Sequence, residues 1–564
     1  MVIKGGPQPT LAYTPIDDIP RIRERLKAGF NSGKLRSIEY RKNQLLQLAH
    51  LVNENSKRIE DALAVDLGKH TVETRIAEFN GTLGEIVEAY HNVAKWSKAD
   101  SAPFNIQWFP MRPKVYKSPK GVVLIIGPFN ASSGIWFAMT KKLIVSTLFS
   151  TPSGVPSELW PFRGPPSDEH HRNRQTPTIS GLITELLPKY MDQDLFQVIN
   201  GGVPETSKAL ELQWDHIVFT GSATVGKIVA SAAAKHLTPV TLELGGQNPV
   251  FLDPSYDLEV AARRLLWGRF MNLGQVCTSP NHIFIPASAQ DRLVDALSKA
   301  YDSFYPEGTA NSDSLSRLVS TGAFDRLQGI LEKTRGTIVR GGLAEADREG
   351  RFFPPTIVKD VKEGDSLLDA ELFGPILPIV PVKDLQEGID YTNARPHPLA
   401  AYVFSDDAKL KKHVIENTHS GAIGINDVCV HMAIPGLPFG GVGTSGYGAH
   451  TGKFSFDTFT HHRSSVDSPA WVDKFVGFRF PPYTDKKVKQ ARLIAARIPA
   501  PRPGPGIGPA KAQKSGLLVS AQSVAVALGV LIFALGLRRA LGYDGWVPPT
   551  LVALANRFSV SGSS

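Results

Sequence analysis

Apolar residues in the first part of the chain recur at helical intervals. From about Ile22 to Val93 the pattern predicts helices. Ser32-Gly-Lys-Leu-Arg-Ser leads into a long amphipathic stretch carrying Leu45, Leu46, Leu48, Ala49 and Val52. The period then changes. KVYKSPKGVVLII, from Lys114 to Ile126, predicts strand, turn and buried strand, ending at the loop signal Gly127-Pro128. Phe196 to Asn200 and His216 to Thr220 predict two more strands, with a helix from Thr206 to Leu212 between them. Gly221-Ser222 opens a helix whose Val225, Ile228, Val229 and Ala232 fall on one face. Further strands are expected over Val240 to Glu243, Val250 to Leu252 and His282 to Ile285, with a helix over Leu258 to Met271. Strands alternating with helices imply a mainly parallel α/β sheet. No internal repeat of about 20 to 50 residues is visible.

Three stretches break this pattern. Residues 131–177 run from an apolar segment into WPFRGPPSDEHHRNRQTP, rich in Pro, Arg and His and without a period. Such a length without regular pattern is unusual inside a compact domain. Residues 499–512, PAPRPGPGIGPAKA, read as a Pro/Gly linker that ends the globular body. Beyond it, Leu517 to Leu537 is a run of 21 residues without a charge, flanked by Lys511 and Lys514 before and Arg538 and Arg539 after. At about 1.5 Å per residue it spans roughly 31 Å, the thickness of a bilayer core, so a single-pass C-terminal membrane anchor is expected.

Composition sharpens the division. The formal charge of +9 belongs to the tail: Trp471 to Ser564 holds 13 Lys/Arg against 3 Asp/Glu, a balance of +10, which leaves the first 470 residues at about −1. A near-neutral body argues against a nucleic-acid face. Two cysteines in 564 residues cannot form a disulfide framework, and MVIKGGPQPTLAYTP has no apolar leader core, so a reducing, cytosolic setting is expected for the body.

Several residues carry candidate chemistry. The turn Gly221, Ser222, Ala223, Thr224, Val225, Gly226 sits between a strand and a helix, where free N–H groups and the helix dipole suit a phosphate. It also suits an ordinary strand–turn–helix, and it is not the GxGxxG spacing. Glu243 in TLELGGQNP would stand at the carboxyl end of a strand, as a water-activating base or as a plain turn residue. Cys277 in GQVCTSP reads as a nucleophilic thiol or as a small buried apolar residue, and Cys429, in the strand-like run GAIGINDVCV, as the latter. No metal site is expected.

Taken together, FTGSATVG, LELGGQNP, GQVCTSPNH, ELFGPILP and LPFGGVGTSGYG occur in that order, with a spacing of 34 residues from Glu243 to Cys277. The chain resembles the aldehyde dehydrogenase superfamily on these motifs. Through AEFNGTLGEI, DLFQVINGG and residues 425–461 it is similar to the fatty aldehyde dehydrogenase branch, over roughly residues 20–130 and 178–480. The resemblance implies a Rossmann-like NAD(P)-binding domain (1–243), an α/β catalytic domain (244–425) and a closing segment with a small β oligomerisation arm (426–480). A basic linker (481–515), a transmembrane helix (516–537) and a short tail (538–564) complete the expected layout. It implies oxidation of long-chain aliphatic aldehydes with NAD or NADP by a homodimer tethered to the cytosolic face of an organelle membrane such as the endoplasmic reticulum. Cys277 corresponds to the nucleophile, Glu243 to the base and Asn130 in GPFN to the oxyanion donor. Gly221, Ser222, Ala223, Thr224, Val225 and Gly226 correspond to the cofactor turn, Glu371 to the ligand of the nicotinamide ribose, and Phe373 to the aromatic beside the nicotinamide.

The chain departs from the family after GPFN. Pro156-Ser157-Glu158 keeps a family signature, but Val155 stands where the family has the lysine that binds the adenosine ribose. From about Trp160 to Gln175 no family counterpart is found. This implies an overwritten Rossmann strand and helix and a weakened adenosine pocket. A catalytically impaired, membrane-tethered homologue and a dehydrogenase of other aldehydes are therefore the alternative readings.

Overall fold

The computed structural model describes residues 11–105, 108–130, 148–150 and 176–493. The chain falls into two compact units, Met1–Val472 and Asp473–Ser564. The candidate membrane span and most of residues 131–177, including Val155, lie outside the described residues. Among the described residues no helix is long and apolar enough to cross a membrane.

Fifteen strands are described: β1 (Asp100–Ser101), β2 (Lys114–Pro119), β3 (Val122–Ile126), β4 (Leu148–Ser150), β5 (His216–Thr220), β6 (Val240–Glu243), β7 (Pro249–Leu252), β8 (His282–Pro286), β9 (Thr337–Arg340), β10 (Thr356–Lys359), β11 (Ile376–Val382), β12 (Ala400–Phe404), β13 (Ala422–Ile425), β14 (Gly446–Tyr447) and β15 (Thr460–Ser465). They form three sheets, all within the first unit. One has the order β14-β6-β5-β3-β4, another β13-β12-β7-β8-β11-β10-β9, and the third β1-β2-β15. The first two are parallel except at one edge each, where β14 runs against β6 and β9 against β10. Their central strands read as unbroken apolar runs: every residue of Val122–Ile126, Pro249–Leu252 and Ala400–Phe404 is buried. That is the signature of parallel strands covered on both faces.

The expected helices are present at the N-terminus, over Asp18–Asn31, Ile38–Glu54, Ser56–Leu67 and Gly81–Trp96. Ser37 caps the second by accepting from the Tyr40 amide, and its Leu45, Leu48, Leu51 and Val52 enter the core while Leu46 faces outward. Four expectations are corrected. Phe196–Asn200 is not a strand; it is a connection without regular structure, with Phe196 fully buried and the Asn200 amide donating to Thr14 Oγ1. The helix after Gly221-Ser222 runs over Ala223–Ala234, and its buried face is Gly226, Val229 and Ala233, with Ile228 exposed. The run GAIGINDVCV ends as a strand at Ile425, because Asn426 and Cys429 adopt positive φ and turn the chain. The strand thought overwritten survives in part, since Leu148–Ser150 pairs in parallel with β3.

Sequence neighbours are parted across sheets. Lys114–Pro119 and Val122–Ile126 are separated by only Lys120 and Gly121, yet the first pairs with β15 and the second with β5. Gly121, at φ 135, makes the turn possible: a Cβ there would lie 2.0 Å from Asp215 Oδ2. The second unit, over its described part, holds short helices at Asp473–Val476 and Asp485–Leu493, with Arg479 Nη2 2.7 Å from Asp473 Oδ1.

Candidate active site

Carboxyl ends of parallel strands collect ligands because loops and helix N-termini converge there. Here three such ends meet at one cavity of about 270 Å³. Asn130 reaches it from the loop after β3, Thr220 and Glu243 from the ends of β5 and β6, and Cys277 from the turn between the helix Leu258–Phe270 and β8. Three residues singled out in the sequence, Cys277, Glu243 and Asn130, are thus brought together. Much of the remaining wall is apolar: Ile76, Ala77, Trp267, Met271, Val276, Val430, Met432, Ala433 and Phe439.

Cys277 is held by its backbone. Asn248 Nδ2 donates to the Cys277 carbonyl at 2.8 Å and to that of Ser279 at 2.9 Å, while Asn248 Oδ1 accepts from the Ala400 amide at 2.9 Å. Tyr402 Oη donates to Thr278 O at 2.6 Å. Cys277 is half-buried and lines the cavity. Burial, then the carboxylates of Glu371 and Glu243, push its pKa well above the ordinary thiol range, so the resting group is a thiol.

Glu243 is the last residue of β6, paired with Thr220 on one side and Gly446 on the other, and is buried. His450 Nε2 lies 3.6 Å from its Oε1. Asn130 is buried, and its carbonyl accepts from Lys69 Nζ at 3.4 Å and Asn272 Nδ2 at 3.2 Å.

The turn Gly221 to Gly226 and the pair Glu371 and Phe373 stand outside the cavity walls. Gly221 N donates to Glu243 O at 3.0 Å, and Ser222 caps the following helix by accepting from the Val225 amide. Glycine at 226 lets the helix close on the sheet, since a Cβ would meet Leu244 Cδ2 at 2.8 Å. Ala223 and Thr224 of this turn open the helix that follows. Both are exposed in the first turn of the helix Ala223–Ala234. At about 100° per residue, Thr224 stands roughly opposite Gly226, the residue that packs on the sheet, so its side chain is turned to solvent. The structure places no part of Thr224 beside Cys277, Glu243 or Asn130 in the cavity wall.

Glu371 packs against Gly245, where a Cβ would lie 1.9 Å from its Oε2. Burial raises the Glu371 pKa to about 8, opposed by Arg269, Arg326 and the Gly246 amide. Phe373, at φ 44, meets Phe129 edge-on with ring centroids 5.9 Å apart, which joins the ELFGP turn to the GPFN loop.

The residues that hold the site were not found from sequence. Asn248 lies inside LELGGQNP and could have been flagged by its motif. Lys69, Glu73 and Asn272 carried no local signal, whereas Glu78 lies in AEFNGTLGEI and His450 within residues 425–461, both stretches that carry the resemblance. Cys429, read as a buried apolar residue, is buried but also lines the cavity, with Sγ 3.6 Å from Thr278 O.

Comparison with known proteins agrees with the motif reading. The model of the aldehyde dehydrogenase family matches residues 10–146 and 171–465. The gap, 147–170, overlaps the stretch that departs from the family in sequence. Aldehyde dehydrogenase family 3 member A2 of Mus musculus is 40% identical over 472 residues, 83% of this chain and 93% of that protein. The Rattus norvegicus protein named aldehyde dehydrogenase, dimeric NADP-preferring, is 39% identical over 83% of this chain and 97% of its own length. Among solved structures, the substrate-bound AldH of Staphylococcus aureus superposes with a TM-score of 0.77 at 36% identity, covering 84% of this chain and 99% of that one. A Mycobacterium tuberculosis aldehyde dehydrogenase complexed with NAD+ shares the fold at 22% identity, with a TM-score of 0.70 over 81% of this chain and 92% of that one.

The raised thiol has a direct consequence. Without added cofactor, iodoacetamide is expected to alkylate Cys277 slowly near neutral pH, and the rate should still be climbing at about pH 9, past the ordinary thiol value of ~8.5. Mass spectrometry of the peptide containing Cys277 gives the rate. A plateau reached below about pH 8 would show that the thiol is not held up.

Proposed function

The chain belongs to the aldehyde dehydrogenase family, and from that premise we propose that it oxidises long-chain aliphatic aldehydes to carboxylic acids, with NAD or NADP as acceptor. The observation that carries the substrate class is the character of the cavity. Its wall joins Cys277, Glu243 and Asn130 to apolar side chains, of which Ile76, Trp267 and Val430 are 52%, 37% and 40% exposed and so lie toward solvent. A space of about 270 Å³ takes the aldehyde end of a molecule, and an alkyl chain that continues outward meets an apolar rim.

The residues present fit the dinucleotide. Gly221 and the capped start of the Ala223–Ala234 helix would face its phosphates, Glu371 would accept or donate to the ribose hydroxyls beside the nicotinamide, and Phe373 would flank that ring. Gly245 leaves the space in which the Glu371 carboxyl sits. When bound, the nicotinamide supplies the hydride acceptor.

The chain's own residues carry the remaining chemistry. Cys277 gives its proton to the Glu243 carboxylate in the same cavity, which passes it to solvent, and the sulfur bonds to the aldehyde carbon as the carbonyl π electrons move onto oxygen. The Asn130 side-chain amide stabilises the oxygen that becomes negative, aided by the Cys277 backbone N–H. Loss of hydride leaves a thioester on Cys277. Glu243 then takes a proton from water, the water attacks the thioester, and acid and thiol are released. His450 Nε2 stands 3.6 Å from that carboxylate, and both residues line the cavity.

A homodimer in which the β1-β2-β15 sheet serves as the oligomerisation arm completes the reading; the rat relative is itself named dimeric. Tethering through Leu517 to Leu537 suits a substrate that partitions into lipid, and rests on the 21 charge-free residues of that run.

Glu243→Gln is expected to give one burst of NADH and then stall, because the base is needed for water attack; equal, mild slowing of burst and steady state would remove Glu243 from that role. In a series of saturated aldehydes, kcat/KM should rise with chain length by about 0.8 kcal/mol per buried methylene, roughly fourfold each, until the rim is covered. A flat or falling series from short chains upward would overturn the substrate class. A chain ending near Ala500 should keep the activity of the full chain and leave the membrane fraction. Its retention there after a high-salt wash would refute a single C-terminal anchor.

A further inference from the structure

Asn130 can act on the reacting oxygen only if its loop is fixed relative to Cys277, and the two residues come from different sheets. Their relative position is set elsewhere. The Asn130 carbonyl receives two donors, Lys69 Nζ at 3.4 Å and Asn272 Nδ2 at 3.2 Å. Lys69 and Glu78 form an ion pair of 2.6 Å with side chains 2% and 1% exposed, and both line the cavity. Asn272 lies five residues before Cys277 in a turn where it and Leu273 both adopt left-handed backbone, φ 50 and φ 53. Glu73 holds that turn by accepting from the Asn272 amide at 3.2 Å on each carboxylate oxygen, and it accepts from Ser316 Oγ at 3.0 Å. Gln275 closes the turn by donating to Asn272 O at 3.0 Å.

One short segment therefore touches both halves of the site. Lys69 and Glu78 grip the Asn130 loop, and Glu73, between them in sequence, grips the Cys277 turn. Residues Arg75–Asn80 wind as a π-helix, a geometry found at functional sites because it places side chains where an α-helix would not. Here it carries Glu78 to Lys69 inside the cavity wall.

We propose that Lys69 is a positioning residue of the aldehyde oxidation: paired with Glu78, it fixes Asn130 over Cys277 so that the Asn130 amide meets the oxyanion. This rests on the assignment of Asn130 as oxyanion donor. Lys69 makes no bond to the substrate. Its ammonium is a second point of support for a carbonyl that Asn272 alone would leave free to rotate. Displacement of a catalytic group by about 1 Å costs on the order of 100-fold in rate, which sets the scale expected.

The test is a double-mutant cycle on the full-length enzyme. Lys69→Met should lower kcat about 10- to 100-fold with little change in KM for the aldehyde, with rates expressed per active site from the amplitude of the first turnover. Lys69→Arg should restore most of the rate. Asn130→Ala alone should cost about 100- to 1000-fold. Because Lys69 acts through Asn130, Lys69→Met combined with Asn130→Ala should be no slower than Asn130→Ala alone. A residue that merely supports the fold would multiply the two losses. Lys69→Met leaves the Glu78 carboxylate buried without its partner, so the pair Lys69→Met with Glu78→Met, which removes both charges, repeats the cycle if the single variant does not fold. Multiplicative losses, or wild-type kcat in Lys69→Met or in the Lys69→Met, Glu78→Met pair, overturn the proposal while Asn130 keeps its role. Wild-type kcat in Asn130→Ala overturns both.

Discussion

The Asn248 side chain is the junction on which the arrangement turns. Its amide donates to the carbonyls of Cys277 and Ser279, its oxygen accepts from Ala400, and its own carbonyl takes the Asn281 amide at 2.8 Å. A nucleophile on a turn is only as well placed as the turn's backbone. The carbonyls and amides tied here belong to the start of β7, the start of β12 and the segment entering β8. All are buried strands of the seven-stranded sheet, so the position of Cys277 is inherited from the rigid core. Every polar atom of the Asn248 side chain finds a partner, apart from the second site on its oxygen. That is the condition under which a fully buried amide stabilises rather than costs.

Around this junction the site is built from charges taken out of water. Arg269 is 1% exposed, and burial lowers its pKa to about 9 against the pull of Glu371. Glu371 is raised to about 8. Glu73 is raised by burial despite Lys69, the Asn272 amide and Ser316. Cys277 is pushed up as well, first by burial and then by two carboxylates. Each shift follows from the same cause, the low polarizability of a packed interior that disfavours whichever form is charged. The consequence for chemistry is a resting thiol, inert toward adventitious electrophiles. A cationic group seated beside Cys277 would oppose the field of the two carboxylates and favour the thiolate.

What sequence reveals and what it hides follow from range. Helical and strand periods are local, so the N-terminal helices and the strands at His216, Val240, Pro249 and His282 were legible. So were Cys277, Glu243 and Asn130, because each sits in a motif. Phe196–Asn200 failed because five apolar-rich residues look like a strand whether or not a partner strand lies beside them. The outward turn of Thr224 and Ile228 was hidden because Gly226, by having no side chain, sits on the face that packs against Leu244 and brings helix and sheet close. The pairing of Gly446–Tyr447 with the Glu243 strand spans about 200 residues of sequence and has no local signature. The same holds for Lys69, Glu73 and Asn272, whose partners are 61, 199 and 142 residues away.

The strained backbone of the molecule tells the same story from the other side. Asn272, Leu273, Phe373 and Cys429 all adopt positive φ, each at a cost of roughly 1–3 kcal/mol for a residue with a side chain. None is a glycine, although glycine would relieve the strain, and each makes a contact through its side chain. Asn272 reaches the Asn130 carbonyl, Leu273 is fully buried in the core, Phe373 meets Phe129, and Cys429 lines the cavity. Glycine at any of these positions would relax the turn and remove the contact that the turn exists to make. Strain of this kind persists only where surrounding hydrogen bonds over-determine the conformation. Around Asn272 those bonds come from the half-buried Glu73 and the buried Gln275. The segment Lys69–Asn80 and the turn before Cys277 therefore hold each other: the turn is kept in a costly shape by the segment's carboxylate, and the segment is oriented by the turn it holds. Neither would be ordered in the same way alone, and this mutual dependence gives two loops from separate sheets one fixed geometry.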